Sequence, residues 1–188
     1  MGVGIKGEEG VQAVNSADYA IAQFKYLGLL VLKHGRWNYV RMSHVICYMF
    51  YKNILMSLAQ FWFNFNCAWS GQKIYVEAAI QMFNLFYTAI PILLLGAYDM
   101  DISAKSCFSF PKDYISCIRG EYFNTTIFWG WITVAIFESI LCSVLPLYFL
   151  TNFEPQKGVM STFMESGALT LTVIVVVCNL KVRYSIIL

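Results

Sequence analysis

Cys47–Met56 reads CYMFYKNILM and sets a lysine in the middle of a run otherwise greasy enough to sit in lipid. The run lies inside a longer apolar stretch, about Ser43 to Ala68. Three more follow: Ala78 to Tyr98, Thr125 to Leu150 and Phe163 to Leu180. A hydrocarbon core about 30 Å thick takes roughly 20 helical residues to cross, so the pattern predicts four membrane-spanning helices. The last is short unless it continues past Lys181 and Arg183 into the apolar tail Tyr184–Leu188.

Composition points the same way. Of the 188 residues 59% are hydrophobic and only 13% charged, where a soluble domain carries about a quarter. Mean hydropathy is +0.59. A net charge of +2, with Lys and Arg scattered, gives no basic stripe to track a phosphate backbone and excludes a nucleic-acid partner. The opening MGVGIKGEEG has no apolar core behind a basic segment and does not read as a secretory signal. Six cysteines (47, 67, 107, 117, 142, 178) show no C-x-x-C spacing, so no metal or redox site is expected and buried free thiols are.

Lys and Arg distribution sets orientation. Lys25, Lys33, Arg36 and Arg41 precede the first span; Lys105, Lys112 and Arg119 lie between the second and third; Lys181 and Arg183 end the fourth. Lys73 and Lys157 stand on the other side. Nine basic residues against two predict both termini in the cytoplasm. Asn124-Thr125-Thr126 is an N-glycosylation sequon in a loop this topology leaves cytoplasmic, and it reads as chance. A glycan there would reverse the assignment. Cys107 and Cys117 share that loop and should stay reduced.

Residues 1–42 carry no span. Val3–Ile5 reads as a short strand, Glu8 to Ala17 as a helix and Tyr19 to Phe24 as another short strand. Forty-two residues bury little surface alone, so this is the expected tail of a larger domain. Residues 43–188 form the transmembrane domain.

Lys52 lies about 13–14 Å into the first span at 1.5 Å per residue, near the midplane. A central lysine costs about 2.5–3.5 kcal/mol on insertion scales, and such residues face an interior or a wet cavity. Asn53, Ser57, Gln60 and Asn64 form one stripe of the same helix with Lys52 on its flank. In the second span Gln81, Asn84, Thr88 and Pro91 fall on one face at α-helical spacing, and Pro91 predicts a kink that frees the carbonyl of Tyr87. Two polar faces, a cation and a freed carbonyl make a hydrophilic groove. Taken singly, Ser57, Gln60 and Thr88 also suit plain helix–helix glue. Between Ser43 and Tyr98 the only carboxylate is Glu77, at the mouth of the second span, where a helix N-terminus suits it. A transported metal cation wants carboxylate oxygens; a lysine with amides suits an anion or a phosphate-bearing head group. Glu138, central in the third span, is the other costly residue. It pairs with Lys52, faces another polar group, or is protonated. Glu165 with Thr162 reads as a capping box opening the fourth span.

These residues resemble the C-terminal part of the type IV P-type ATPases, the phospholipid flippases, almost end to end. VGIKGEEGVQAVNSADYAIAQF (Val3–Phe24) is similar to the last part of their phosphorylation domain. His34-Gly35-Arg36-Trp37, Tyr39 and Arg41 resemble the segment leading into their fifth transmembrane helix. FYKN (Phe50–Asn53), FWFNF (Phe61–Phe65), SGQ (Ser70–Gln72), Phe83-Asn84, Pro91 and YDMDIS (Tyr98–Ser103) follow in family order. Phe110-Pro111, Tyr114, Gly120 and Phe123-Asn124 resemble the loop before their seventh helix, and NLKV (Asn179–Val182) the end of their eighth.

The resemblance implies an all-α membrane protein: transmembrane helices five to eight, preceded by a short α/β remnant of a phosphorylation domain. It implicates Lys52 in handling the lipid head group, with Asn53 beside it and Asn84 and Thr88 facing the same pathway; it assigns Glu138 no role. It further implies ATP and Mg2+ as cofactors of the full-length family, phospholipid moved from the outer to the cytoplasmic leaflet, and a membrane-anchored, glycosylated accessory subunit. The phosphorylated aspartate in its D-K-T-G context and the Gly-Asp-Gly…Asn-Asp magnesium segment are absent from this sequence, so there is no catalytic residue in it. The expectation is a fragment that neither hydrolyses ATP nor moves lipid alone. An ion-pumping P-type ATPase would want carboxylates inside the first two spans, and a non-catalytic four-span scaffold is the other alternative.

Overall fold

The computed structural model describes residues 2–7, 11–153 and 163–187. The chain divides into two compact units, one drawn from Met1–Arg41 and Met100–Tyr122, the other from Met42–Asp99 and Phe123–Leu188.

In the first unit β1 (Val3–Ile5) pairs in parallel with β2 (Tyr19–Ile21), in register Val3 with Tyr19 and Ile5 with Ile21. Parallel strands need a crossover, and α1 (Val11–Asn15) lies within it. Both strands and this helix stand where the sequence predicts them; the predicted helix start at Glu8–Gly10 lies outside the described residues. The expected second strand is shorter and ends at Ile21. α2 (Tyr26–Leu29) runs through a π-helical turn, Leu30–Gly35, into α3 (Arg36–Asn66). Later in the chain the unit gains α6 (Ala104–Ser109), which Ser103 caps by accepting from the Ser106 amide at 3.3 Å, a 3-10 turn at Pro111–Tyr114, and α7 (Ile115–Ile118). Arg36 is the hub. Its side chain is buried, with Nε and Nη2 donating to Asp101 Oδ2 at 2.9 and 2.8 Å. It also donates to the Tyr122 hydroxyl at 2.9 Å and to the Asp113 carbonyl. Burial works against the charge, but the hydrogen bond and charge of Asp101 more than offset it and hold the guanidinium pKa above its ordinary value.

The second unit is helical. α4 (Glu77–Met82), a π-helical turn at Phe83–Tyr87 and α5 (Ala89–Tyr98) form one continuous rod. α8 (Thr125–Phe153) and α9 (Phe163–Ile187) complete it. The side chain of Asn124 accepts from the Ile127 amide at 2.8 Å, so the sequon asparagine is the N-cap of α8. α9 does continue past Leu180 through Lys181 and Arg183. Thr162, half of the expected capping box, and Leu188 lie outside the described residues. Three helical stretches are long and apolar enough to cross a membrane: Glu77–Tyr98, Thr125–Leu150 and Met164–Arg183. Their outward side chains, such as Trp129, Phe137 and Tyr148, are exposed, as lipid-facing apolar residues are. The chain is thus a mostly α-helical membrane protein. α3 is long enough at 31 residues, but its run of Arg, His, Lys, Asn and Gln keeps it off that apolar set.

The core of this unit gathers Tyr51 and Leu55 of α3, Phe83, Ala135 of α8 and Ile174 and Cys178 of α9, all wholly buried. All six cysteines are free thiols, with 47, 107, 142 and 178 buried. Polar pins fix the helices around the core. Trp62 Nε1 donates to Ser139 Oγ at 2.9 Å. Gln60 reaches past the end of α3, accepting from the Ile74 amide at 3.0 Å and donating to the Gln72 carbonyl at 3.1 Å. α3 ends at Asn66, and in the turn that follows, Ala68 and Trp69 both lie in the left-handed region (φ 49° and 59°). That turn folds the Trp69 ring back onto Phe61 and Phe65, with centroids 5.7 and 5.0 Å apart.

Candidate functional site

The site starts from what Pro91 does to its helix. Proline has no N–H and leaves a carbonyl one turn back without its donor. The helix is irregular near the expected position, and the irregularity begins further upstream. Over Phe83–Tyr87 the backbone widens to a π-helical turn, with the Thr88 amide bonding the Phe83 carbonyl five residues back at 3.2 Å. Thr88 itself leaves helical geometry (φ −121°, ψ −12°). Such single-turn widenings recur at functional sites.

Lys52 meets that irregular turn. Only 5% of its surface is exposed, and Nζ donates to Thr88 Oγ1 at 2.8 Å. The Thr88 hydroxyl passes its own proton to the Phe83 carbonyl at 2.8 Å. The ammonium also stands 5.9 Å from the centroid of the Phe83 ring, within cation–π range. The lysine neither points to lipid nor curls toward a helix end: it is inside the protein, tied through one hydroxyl to the widened backbone.

Of the four residues expected in the pathway, Lys52 and Thr88 are in direct contact. Asn53 and Asn84 are exposed, and among the described residues neither has a side-chain hydrogen-bond partner. The second polar face does not hold together as predicted: Gln81 and Asn84 are exposed while Thr88 is wholly buried. The widened turn, which contains Asn84, separates Gln81 from Thr88 and shifts the helical phase.

Glu138 does not pair with Lys52. Tyr51 donates its hydroxyl to Glu138 Oε2, and Lys181 Nζ stands 3.3 Å from Oε1. The Lys181 ammonium sits over the rings of Tyr51 and Trp131, at 5.4 and 5.7 Å. This network escapes a reading of the sequence because its partners are on three helices. The one local signal is the cost of a carboxylate in mid-span, which demands a partner without naming it. Lys52 is left with no carboxylate among the described residues, and two of its three N–H donors have no acceptor there.

Residues 14–187 match the family described as the phospholipid-translocating P-type ATPase C-terminal domain. The chain belongs to that family. A phospholipid-transporting ATPase of Schizosaccharomyces pombe is 43% identical over 152 residues, 79% of this chain and 12% of the relative. Phospholipid-transporting ATPases ID and IC of Homo sapiens are 36% and 38% identical over 183 residues, 97% of this chain and 15% of each relative. The chain therefore spans between about an eighth and a seventh of the length of these family members.

Proposed function

We propose that this chain supplies part of the membrane domain of an ATP-driven phospholipid transporter, moving lipid from the outer to the cytoplasmic leaflet, and that Lys52 binds the lipid head group. The observation that carries this is a buried ammonium with one neutral partner. A cation removed from water and left without a carboxylate is expensive, and two directed donors suit the oxygens of a phosphate. Thr88 orients the amine. Asn53 and Asn84 supply the amide donors along the rest of the route. In this reading α3 is the first of four membrane crossings, residues 1–42 belong to the cytoplasmic phosphorylation domain, both termini are cytoplasmic, and a membrane-anchored glycosylated subunit accompanies the whole protein.

In the whole protein ATP would supply the phosphoryl group and Mg2+ would neutralise its charge. Among the described residues no group of three or more His, Cys, Asp or Glu side chains could hold a metal ion, and in this reading the part of these residues is toward the lipid. The ion-pump alternative loses ground because the one carboxylate central in a span, Glu138, is already held by a tyrosine and a lysine.

The test is Lys52→Ala in a full-length ATPase that carries this segment. Lipid-stimulated ATP turnover should fall by at least about tenfold, the factor for one lost charge-assisted hydrogen bond, while the thermal midpoint moves little. Equal turnover with and without the lysine overturns the proposal. The isolated 188-residue chain should show no ATP turnover, and measurable hydrolysis contradicts that part.

A further inference from the structure

We propose that Glu138 and Lys181 are a positioning pair: through Tyr51 they fix the rotation of α3 and so determine where the Lys52 ammonium stands. This deepens the transport reading and rests on it for its functional meaning. Tyr51 and Lys52 are consecutive on α3 and project about 100° apart. Lys52 is held on one flank by Thr88. Tyr51, wholly buried, is held on the other by a carboxylate from α8 and an ammonium from α9. At that level α3 cannot turn about its axis or slide without breaking one of the two attachments.

The chemistry of the pair argues against plain packing. The pair is partly buried, with 28% and 25% of the Lys181 and Glu138 side chains exposed; apolar side chains of similar volume fill such a junction as well or better, and polar groups buried between helices are best attested where they fix register. Here the two charges cancel, which lowers the cost of both within the membrane segment, and the ionised carboxylate binds the phenol more tightly than an amide would. The Lys181 ammonium caps the rings of Tyr51 and Trp131, which meet edge to face at 5.8 Å. Glu138 thus receives one donor from each neighbouring helix, and the side chain it restrains is the immediate neighbour of the proposed lipid ligand.

The experiment measures where the Lys52 amine stands, not whether lipid moves. The chain, reconstituted in phospholipid nanodiscs, is treated with a water-soluble amine-acylating ester, and modification at each lysine is read by mass spectrometry. Lys52 should be protected in the parent. Glu138→Gln and Lys181→Met should each raise its modification by about tenfold, within the range of couplings seen between contacting polar residues. Exchanging the charges, Glu138→Lys with Lys181→Glu, should restore protection. Maleimide protection of buried Cys47 and Cys178 reports the fold. If a variant loses that protection, Tyr51→Phe, which removes only the hydroxyl, decides: raised Lys52 modification supports the pair and unchanged modification overturns it. Unchanged modification in both folded single variants, or an exchange that behaves like them, also overturns it. Failure here leaves the transport reading standing, because Lys52→Ala turnover tests that separately.

Discussion

The Thr88 hydroxyl does two things with one oxygen. It accepts from the Lys52 ammonium and donates to the Phe83 carbonyl, so the lysine and the widened turn are parts of one chain of hydrogen bonds. Thr88→Val keeps the shape and removes both bonds; it should cost about 1.5–3 kcal/mol, read as a lower thermal midpoint in nanodiscs, whereas Thr88→Ser should stay near the parent. Equal midpoints for Val and Ser would mean that the hydroxyl carries no load. Lys52 is legible in the sequence because a central cation in an apolar run needs a reason, and Thr88 because it shares a helix with Pro91. Asn53 and Asn84 are a different case: both side chains end up exposed, Asn84 within the π-helical turn that breaks the uniform 100° per residue, Asn53 on the regular α3.

Among elements, the rod from Glu77 to Tyr98 shows how one proline changes the phase of a helix. The π-helical turn at Phe83–Tyr87 adds a residue to one turn, which rotates everything before it relative to everything after. Pro91→Ala restores the missing N–H and favours a regular α-helix. It should raise helix stability while displacing Thr88, so Lys52 becomes more reactive toward the acylating ester even as the thermal midpoint rises. A rise in midpoint with Lys52 still protected would uncouple the turn from the lysine. α9 makes its own close approach at Gly167, where an added Cβ would overlap the Ile74 carbonyl. Gly167→Ala should therefore destabilise by about 1–3 kcal/mol; an unchanged midpoint would rule out the close approach. Helix lengths and the β1–α1–β2 order are readable because periodicity and strand propensity are local. The Glu138–Lys181 pair is not, because its ends are 43 residues apart on two different helices.

At the scale of the molecule, the two units differ in what holds them. The helical unit buries aromatic and aliphatic side chains; the other is organised around one arginine. Arg36→Lys keeps a charge but loses the fork that reaches Asp101, Tyr122 and the Asp113 carbonyl together. The cost should be about 2–3 kcal/mol, below that of a fully buried pair because Asp101 keeps 19% of its side chain exposed. Limited proteolysis between residues 100 and 122 is the readout, and parent-like resistance would contradict it. The charge asymmetry of the loops predicts that Cys117 is labelled only from the cytoplasmic face, and a glycan on Asn124 would reverse the topology.

The most direct measurement is the distance between the Lys52 nitrogen and lipid phosphorus, taken by solid-state NMR on a full-length ATPase carrying this segment, 15N-labelled at lysine and reconstituted in phospholipid. The expected result is phosphorus dephasing of a buried lysine signal that vanishes in Lys52→Met. A Lys52 signal with no phosphorus nearby, while surface lysines show it, would contradict a head-group role for this amine.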